Sequence, residues 1–582
     1  MPSITINGVQ CEFEPGQTIL QVANARGVKI PYYCDHDGLS IPAQCRICLG
    51  EIWAPNPRND NKVEPLMGGK LQPTCSTRAS EGMVVWTDSP KAVANQKAVM
   101  EYLLINHPLD CPVCDQAGEC ELQDYSYQYG RSVSRFQEQK VKQPKKDLGP
   151  HVAIYSDRCI MCTRCVRFAR EVAGTGELMI AGRGNKSEID VFPGKPLANE
   201  LSGNVVDICP VGALLDKDFL FAQRVWFLKR TASIDGITAS GDNIWVEHNE
   251  GKVYRIKPRE NPKVNRWWIT DEVRYGWKHI LSEERLQTPA LRKHGVLVEA
   301  DYERVDRAAV EGLTKAVATG GRLALLVSPM LATEEAYLLA ELARQIDPRA
   351  ILGVGPVPVD GEDKVFPVGA KRDDPDAFVM FAEKAPNARG VRRARESFGA
   401  KVHDADGWMK AATGATCAIV TGNYPSDWAT ADLLAALEGK FVVLLDTLRS
   451  RLLDRADIVL PASAWVEKAG SFESARGMTQ AFLKAVPAPG LARPEGQHAL
   501  DLAAALEGNL APAARVLEFV DNQPGQVTAA RELLVPRAAP YDASAVRARM
   551  ADAAPDALGA LAEVVAPVQE RKRHTDMPLV QL

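Results

Sequence analysis

The sequence predicts a multidomain α+β chain, with small cysteine-bearing domains at the N-terminal end and a larger α/β domain behind them. Three observations predict it. Of 13 cysteines, all but Cys417 lie before residue 210. A strand–strand–helix pattern precedes the first cysteine loop, and the second half alternates short apolar runs with helical patterns. At 582 residues the chain is long enough for roughly three or four domains.

The first stretch justifies the small β-rich domain. Residues 4–6 and 11–13 read as strands joined across Asn7-Gly8, a dipeptide whose tolerance of positive φ suits a tight hairpin turn. Thr18 and Gln21 have capping-box spacing and open a helix through Ala25 that stops at Gly27. This order is that of a β-grasp ferredoxin. Residues 90–140 read as mainly helical around a second cysteine group, and 150–225 carry a third. Beyond about 226, residues 323–327, 418–420 and 441–445 read as buried strands alternating with helices such as 334–345. Residues 485–582, rich in Ala, Pro and Arg, read as helical pieces with loose ends, and no repeat of solenoid period occurs.

Composition narrows the function. With 46% hydrophobic and 25% charged residues the chain reads as soluble and globular. Lys+Arg 69 against Asp+Glu 74 is too balanced to predict nucleic acid or an anionic membrane as partner. No apolar run approaches the roughly 18 residues of a membrane span. The opening MPSITINGVQ reads as neither a secretory signal nor a transit sequence, so a reducing compartment is expected. There, cysteines point to metal or redox chemistry rather than disulfides.

The first group, Cys34, Cys45, Cys48 and Cys75, places two thiolates three residues apart in a loop and closes the cage with two distant ones. Thiolate is the soft donor an iron–sulfur cluster needs, and the ferredoxin context assigns a [2Fe–2S] cluster over structural zinc. Gly38, Pro42 and Gly50 are expected to give the loop an irregular backbone that turns amides toward sulfur. The second group is His107, Cys111, Cys114 and Cys120, with Pro108 and Pro112 keeping the segment out of regular helix. Alone it fits a zinc knuckle as well as a cluster; between two ferredoxin-like modules, a [4Fe–4S] cluster with one imidazole ligand is the reading taken. The third is Cys159, Cys162 and Cys165 on one loop, with Cys209-Pro210 as the fourth, a pattern similar to bacterial [4Fe–4S] ferredoxins.

Three groups in this order, with the lead-in Ser156-Asp157-Arg158-Cys159-Ile160, resemble the large iron–sulfur subunit of respiratory complex I, the G subunit of bacterial NADH–quinone oxidoreductase. The resemblance is close through about residue 225. Ala456-Asp457-Ile458-Val459-Leu460-Pro461, then Glu467, Gly470 and Gln480, are similar to a segment of molybdopterin oxidoreductases. The resemblance implies a peripheral-arm subunit on the cytoplasmic face of the bacterial inner membrane, without a span of its own. It would take electrons from the flavin subunit that oxidises NADH and pass them through downstream iron–sulfur subunits toward quinone, supporting proton translocation, with no catalytic residue in this chain. The implied domains are 1–85 ([2Fe–2S]), 86–145 ([4Fe–4S] with one histidine and three cysteines), 146–225 ([4Fe–4S]), 226–285 (a degenerate cluster segment) and 286–582 (molybdopterin-type α/β). Where relatives carry a further [4Fe–4S] cluster, this chain has Asp235, Thr238, Asp242 and Thr270, poor cluster ligands, so that cluster is expected to be absent. No residue reads as a molybdenum ligand, and no molybdenum is expected.

Other motifs carry less. Gly353-Val354-Gly355 is followed by Pro356 and Pro358, unlike a dinucleotide fingerprint, so NADH is not expected to bind this chain. Cys11 and Cys417 read as core thiols, Trp267-Trp268 as core or interface, and the basic stretch Arg571-Lys572-Arg573-His574 as a solvated end or subunit contact. The alternatives are a molybdenum or tungsten formate dehydrogenase catalytic subunit, the electron-transfer subunit of an NAD-reducing hydrogenase, and an iron-only hydrogenase. The plainest alternative is a scaffold with structural zinc.

Overall fold

The computed structural model describes residues 1–375, 377–399, 401–508 and 538–569, and the backbone of Arg515–Val520 and Ala529–Leu534. The basic stretch at 571–574 lies outside the described residues. The described residues form two compact units, Met1–Lys229 with Phe366–Lys371, and Arg230–Val365 with the described residues from Arg372 to Gln569.

In the first unit, strands Ser3–Ile6 and Val9–Glu12 form the expected hairpin, with Asn7 at φ 49° and Gly8 at φ 81°. The sheet runs Val9–Glu12, Ser3–Ile6, Val84–Trp86, Leu49–Asn56, Lys62–Pro65, with Gln72–Pro73 also on Leu49–Asn56. Ser3–Ile6 pairs parallel to Val84–Trp86, the mixed pairing that lets the sheet grip a helix. That helix, Ile19–Ala25, has both hydrogen bonds of the Thr18–Gln21 capping box. Its Ile19, Leu20, Val22 and Ala23 pack with Ile4, Ile6, Ile52, Val85 and Cys11, so Cys11 is core.

Helix Pro90–Leu104 follows, capped by Ser89 with proline at its first position. The expectation of helix across 90–140 holds only in part. A second helix, Glu121–Tyr129, follows Cys120, but 105–120 contains only the turn Cys111–Val113, and 130–144 has no regular element. Residues 130–144 are mostly polar and exposed, so no helical face is repaid by burial. Beyond it lie a three-stranded antiparallel sheet (Leu214–Asp216, Val152–Tyr155, Lys145–Asp147), the hairpin Leu178–Ala181 with Glu188–Val191, and helix Arg164–Glu171.

The second unit opens with the sheet Lys229–Ile234, Asn243–Asn249, Lys252–Pro258. Its main sheet has eight strands in the order Val296–Glu299, Ala290–Lys293, Ile458–Pro461, Phe441–Asp446, Cys417–Thr421, Leu323–Val327, Ile351–Val354, Val402–His403. The last six run parallel, and the first two form an antiparallel edge hairpin. Alternate residues feed separate cores. Leu323, Leu325 and Val327 pack with helices Tyr302–Ala318 and Thr333–Ile346, while Ala324 and Leu326 pack with Trp408 and Leu433. Burial on both faces explains why these strands are apolar throughout. Cys417 is wholly buried at a strand start.

Candidate metal centres

In the first group the thiols meet in pairs, Cys34 with Cys45 and Cys48 with Cys75, each pair sharing a hydrogen bond. The bond from Cys34 pulls Cys45 down to about 5, and the same bond pushes Cys34 up. Cys48 is lowered and Cys75 raised in the same way. The Thr74 hydroxyl donates to the Cys48 carbonyl at 2.9 Å, pinning the distant end of the loop. The loop's left-handed residues are Ala43 (φ 49°) and Arg46 (φ 57°), not the glycines the sequence singled out. Gly50 lies instead in strand Leu49–Asn56, where an added Cβ would come 3.1 Å from Thr87.

In the second group His107 is half-buried, and burial, then Arg158 and Lys140, drive its imidazole down to about 4. It is neutral at pH 7, the form that ligates metals. Cys111 is exposed, whereas Cys114 and Cys120 are buried. Burial pushes all three thiols up, Cys120 to about 12. The amides of Leu122 and Gln123, at the start of helix Glu121–Tyr129, point at Cys120, and that of Gln116 at Cys114.

Cys159, Cys162, Cys165 and Cys209 line one small cavity, with Ile154, Ile189, Val211 and Leu214 as apolar walls. Met161 (φ 53°) and Thr163 (φ 63°) are left-handed on either side of Cys162, an alternation that turns successive amides toward one point. The Met161 amide donates to Cys159 Sγ at 3.4 Å; amides of Arg164, Val166 and of Val211, Ala213 and Leu214 serve Cys162, Cys165 and Cys209. Burial still pushes all four thiols up, Cys159 and Cys162 to about 12. Four thiols ringed by amide donors fit a polynuclear cation whose charge offsets their thiolates, and loading would release their protons. Among the described residues, no three His, Cys, Asp or Glu side chains approach as closely as one metal ion requires.

The three groups touch one another. Gln44 Nε2 donates to the Met161 carbonyl at 2.9 Å, and the Ser40 amide and hydroxyl donate to Glu171 at 2.8 and 2.6 Å. Arg167 donates to the carbonyls of Cys34 and Ser40. Arg158, 2% exposed, donates to Asp110 Oδ2 at 2.8 Å and to the Gly212 carbonyl. Gly212 passes so near Cys114 that an added Cβ would lie 2.2 Å from its sulfur. Sequence reasoning missed the arginines at 158, 164 and 167, because no motif distinguishes a buried arginine from an exposed one.

In the second unit, the positions expected to replace cluster cysteines hold a polar set. Asp235 accepts from the Ile237 and Thr238 amides and the Thr238 hydroxyl, and burial raises its carboxyl to about 7. Asp242 is wholly buried beside it and raised further, while Thr270 caps helix Asp271–Tyr275. Trp268 is core, stacked edge-on against Trp267 at 6.0 Å.

Family comparisons cover most of the same ground. A 2Fe-2S iron-sulfur cluster binding domain matches residues 2–90, and an NADH-ubiquinone oxidoreductase-G iron-sulfur binding region matches 96–135. The ferredoxin-like domain of NADH-quinone oxidoreductase subunit 3 matches 149–215, and an NDSU1/NuoG-like 4Fe-4S domain matches 228–278. A molybdopterin oxidoreductase domain matches 410–504. Fold and matches together define a chain of mixed α and β structure, with ferredoxin-type iron–sulfur domains ahead of a molybdopterin-oxidoreductase-type domain.

Curated relatives narrow the class. The NADH-quinone oxidoreductase G subunit of Rickettsia felis is 37% identical over 60% of this chain and 49% of its own. The 75 kDa subunit of NADH-ubiquinone oxidoreductase of Reclinomonas americana is 37% identical over 60% and 48%. The Neurospora crassa 78 kDa subunit is 43% identical over 52% and 39%. The chain spans about half the length of the curated relatives it matches. Through these segments it is similar to the large iron–sulfur (G) subunits of NADH–quinone oxidoreductase, complex I. A chain of an NAD+-reducing [NiFe]-hydrogenase aligns at 26% identity over 38% of this chain and 91% of its own, with a TM-score of 0.33 that adds nothing to the fold assignment.

Proposed function

We propose that this chain is an electron relay of the complex I peripheral arm. Cys34, Cys45, Cys48 and Cys75 hold a [2Fe–2S] cluster, His107, Cys111, Cys114 and Cys120 a [4Fe–4S] cluster, and Cys159, Cys162, Cys165 and Cys209 a second [4Fe–4S] cluster. Such clusters supply one-electron transfer. The residues of this chain bind them, exclude water and fix their spacing. Electrons enter from the NADH-oxidising flavin subunit and leave through further iron–sulfur subunits toward quinone, at the cytoplasmic face of the membrane. Among the described residues no helix is long and apolar enough to cross a membrane. The observation that carries the reading is that three differently spaced ligand groups lie in one compact unit and are tied directly to one another by Gln44, Arg158 and Arg167.

The molybdopterin-type domain acts as a scaffold. In parallel α/β sheets ligands bind beyond the carboxyl ends of the strands. Here Asp446 and Tyr424 are buried at the strand ends. An added Cβ at Gly422 would fall 2.1 Å from the Asp446 carboxylate, and the Tyr424 hydroxyl reaches over to the Pro356 carbonyl at 2.7 Å. The formate dehydrogenase alternative finds no support in the relatives' names. Elemental analysis of anaerobically purified protein tests the reading. About 10 iron atoms per chain, with matching sulfide and no molybdenum, is the expected result. Zinc in place of iron, or roughly 14 irons with stoichiometric molybdenum, would overturn it.

A further inference from the structure

Arg164 follows Cys162 by two residues and opens the helix Arg164–Glu171. Arg164 is only 5% exposed, and it is among the residues lining the cavity formed by Cys159, Cys162, Cys165 and Cys209. One terminal nitrogen donates to the carbonyl of Ile208, the residue before Cys209, at 3.2 Å. The same nitrogen lies 3.7 Å from Glu121, the residue after Cys120. The guanidinium sits 5.9 Å from the ring of Tyr32. Its Nε–H is buried and has no hydrogen-bond partner in the protein. Burying a guanidinium is costly, and an orphaned N–H adds to that cost. This places a buried positive charge beside the ring of thiols.

We propose that Arg164 sets the potential of the centre at Cys159, Cys162, Cys165 and Cys209. It holds one buried positive charge beside that centre, which favours the reduced, more negative state. This rests on the reading that the four cysteines hold a cluster. Reduction adds one electron and no bond is made or broken. A nearby cation and hydrogen bonds to sulfur both raise a cluster's potential. Glu121 is the opposing charge: it screens Arg164 from the side of the second group, so the two residues form a balance between neighbouring centres.

The experiment uses the full chain, purified anaerobically with its clusters, in EPR-monitored redox titration. The signal of this centre is the one that Cys162→Ala abolishes. Arg164→Gln should move that signal to lower potential with iron content unchanged, and Arg164→Lys, which keeps the charge but not the planar donor, should fall between. An unchanged potential in Arg164→Gln, or Arg164→Lys shifted as far as Arg164→Gln, would overturn the assignment of charge. Should Arg164→Gln fail to retain iron, Glu121→Gln decides: removing the opposing charge should raise the potential, and no shift overturns the proposal. Wild-type protein without iron at these cysteines sinks the cluster reading itself, a separate failure seen before any variant is titrated.

Discussion

Arg285 and Glu467, 182 positions apart in the chain, meet in a two-pronged ion pair with Nη1–Oε1 and Nη2–Oε2 distances of 2.8 and 2.7 Å, both side chains 4% exposed or less. Arg285 also donates to the Ile280 carbonyl at 2.8 Å. The pair therefore fixes the segment before the main sheet to the segment following strand Ile458–Pro461. Removing one partner leaves the other charged and buried, a loss on the order of 3–5 kcal/mol. Glu467→Leu or Arg285→Met should each lower the urea midpoint of the second unit's transition, and the double variant Arg285→Met/Glu467→Leu should lower it less than the two single losses added together. Additive losses would mean the two side chains act independently.

His498 is buried and its Nε2 lies 3.0 Å from the Pro461 carbonyl. Burial, with Arg493 and Lys468 nearby, pushes its imidazole from 6.5 down to about 3. Above pH 6.5 neither the folded nor the unfolded chain protonates it. As pH falls through 6.5 toward 3, the unfolded chain takes up a proton that the folded one refuses, so stability is lost across that window. The full effect is on the order of 4–5 kcal/mol. His498→Gln keeps a donor for Pro461 and removes the titration. The drop in urea midpoint between about pH 7.5 and about pH 5 should shrink in this variant; an identical drop would exclude His498 as its source.

With His107 as a ligand, as proposed, its neutral imidazole would leave the centre less negative than four thiolates would. His107→Cys should retain iron and shift that centre's EPR signal to lower potential. An unchanged or raised potential would count against His107 as a ligand.

Gly212 is required by closeness rather than by backbone conformation, since an added Cβ would meet the Cys114 sulfur at 2.2 Å and Gln116 at 3.1 Å. Gly212→Ala must push one loop away from the other, at a cost of about 1–3 kcal/mol. The expected result is loss of iron from the second group, with the [2Fe–2S] signal intact. Full iron occupancy with unchanged signals would show that the loops can part freely.

Local chemistry makes much of this readable from the residues alone. The Asn7-Gly8 turn, the Thr18 cap and the helix stop at Gly27 (φ 71°) each depend on residues a few positions apart, and the structure reproduces them. The close-spaced cysteines of each group are legible because Cys spacing is a local property of a loop. Less legible is the backbone that turns amides toward sulfur. Left-handed conformations at Ala43, Arg46, Met161 and Thr163 are imposed by the surrounding loop, not by residue type, so a search for glycines looks in the wrong places. The polar run at 130–144 shows the opposite error: without an apolar face to bury, a stretch stays irregular however few helix breakers it holds.

The sequence by itself determined the spacing of the cysteines, the β-grasp start and the parallel α/β sheet, because these follow from spacing and hydrophobic period within short windows. Only the tertiary structure decided which groups lie against which, that Arg158, Arg164 and Arg167 turn inward between them, and that Asp446 and Tyr424 are buried at the strand ends. The physical reason is burial. A charge or a thiol changes its energy by several kcal/mol when packing removes water from it, and that packing is assembled from residues far apart in the chain.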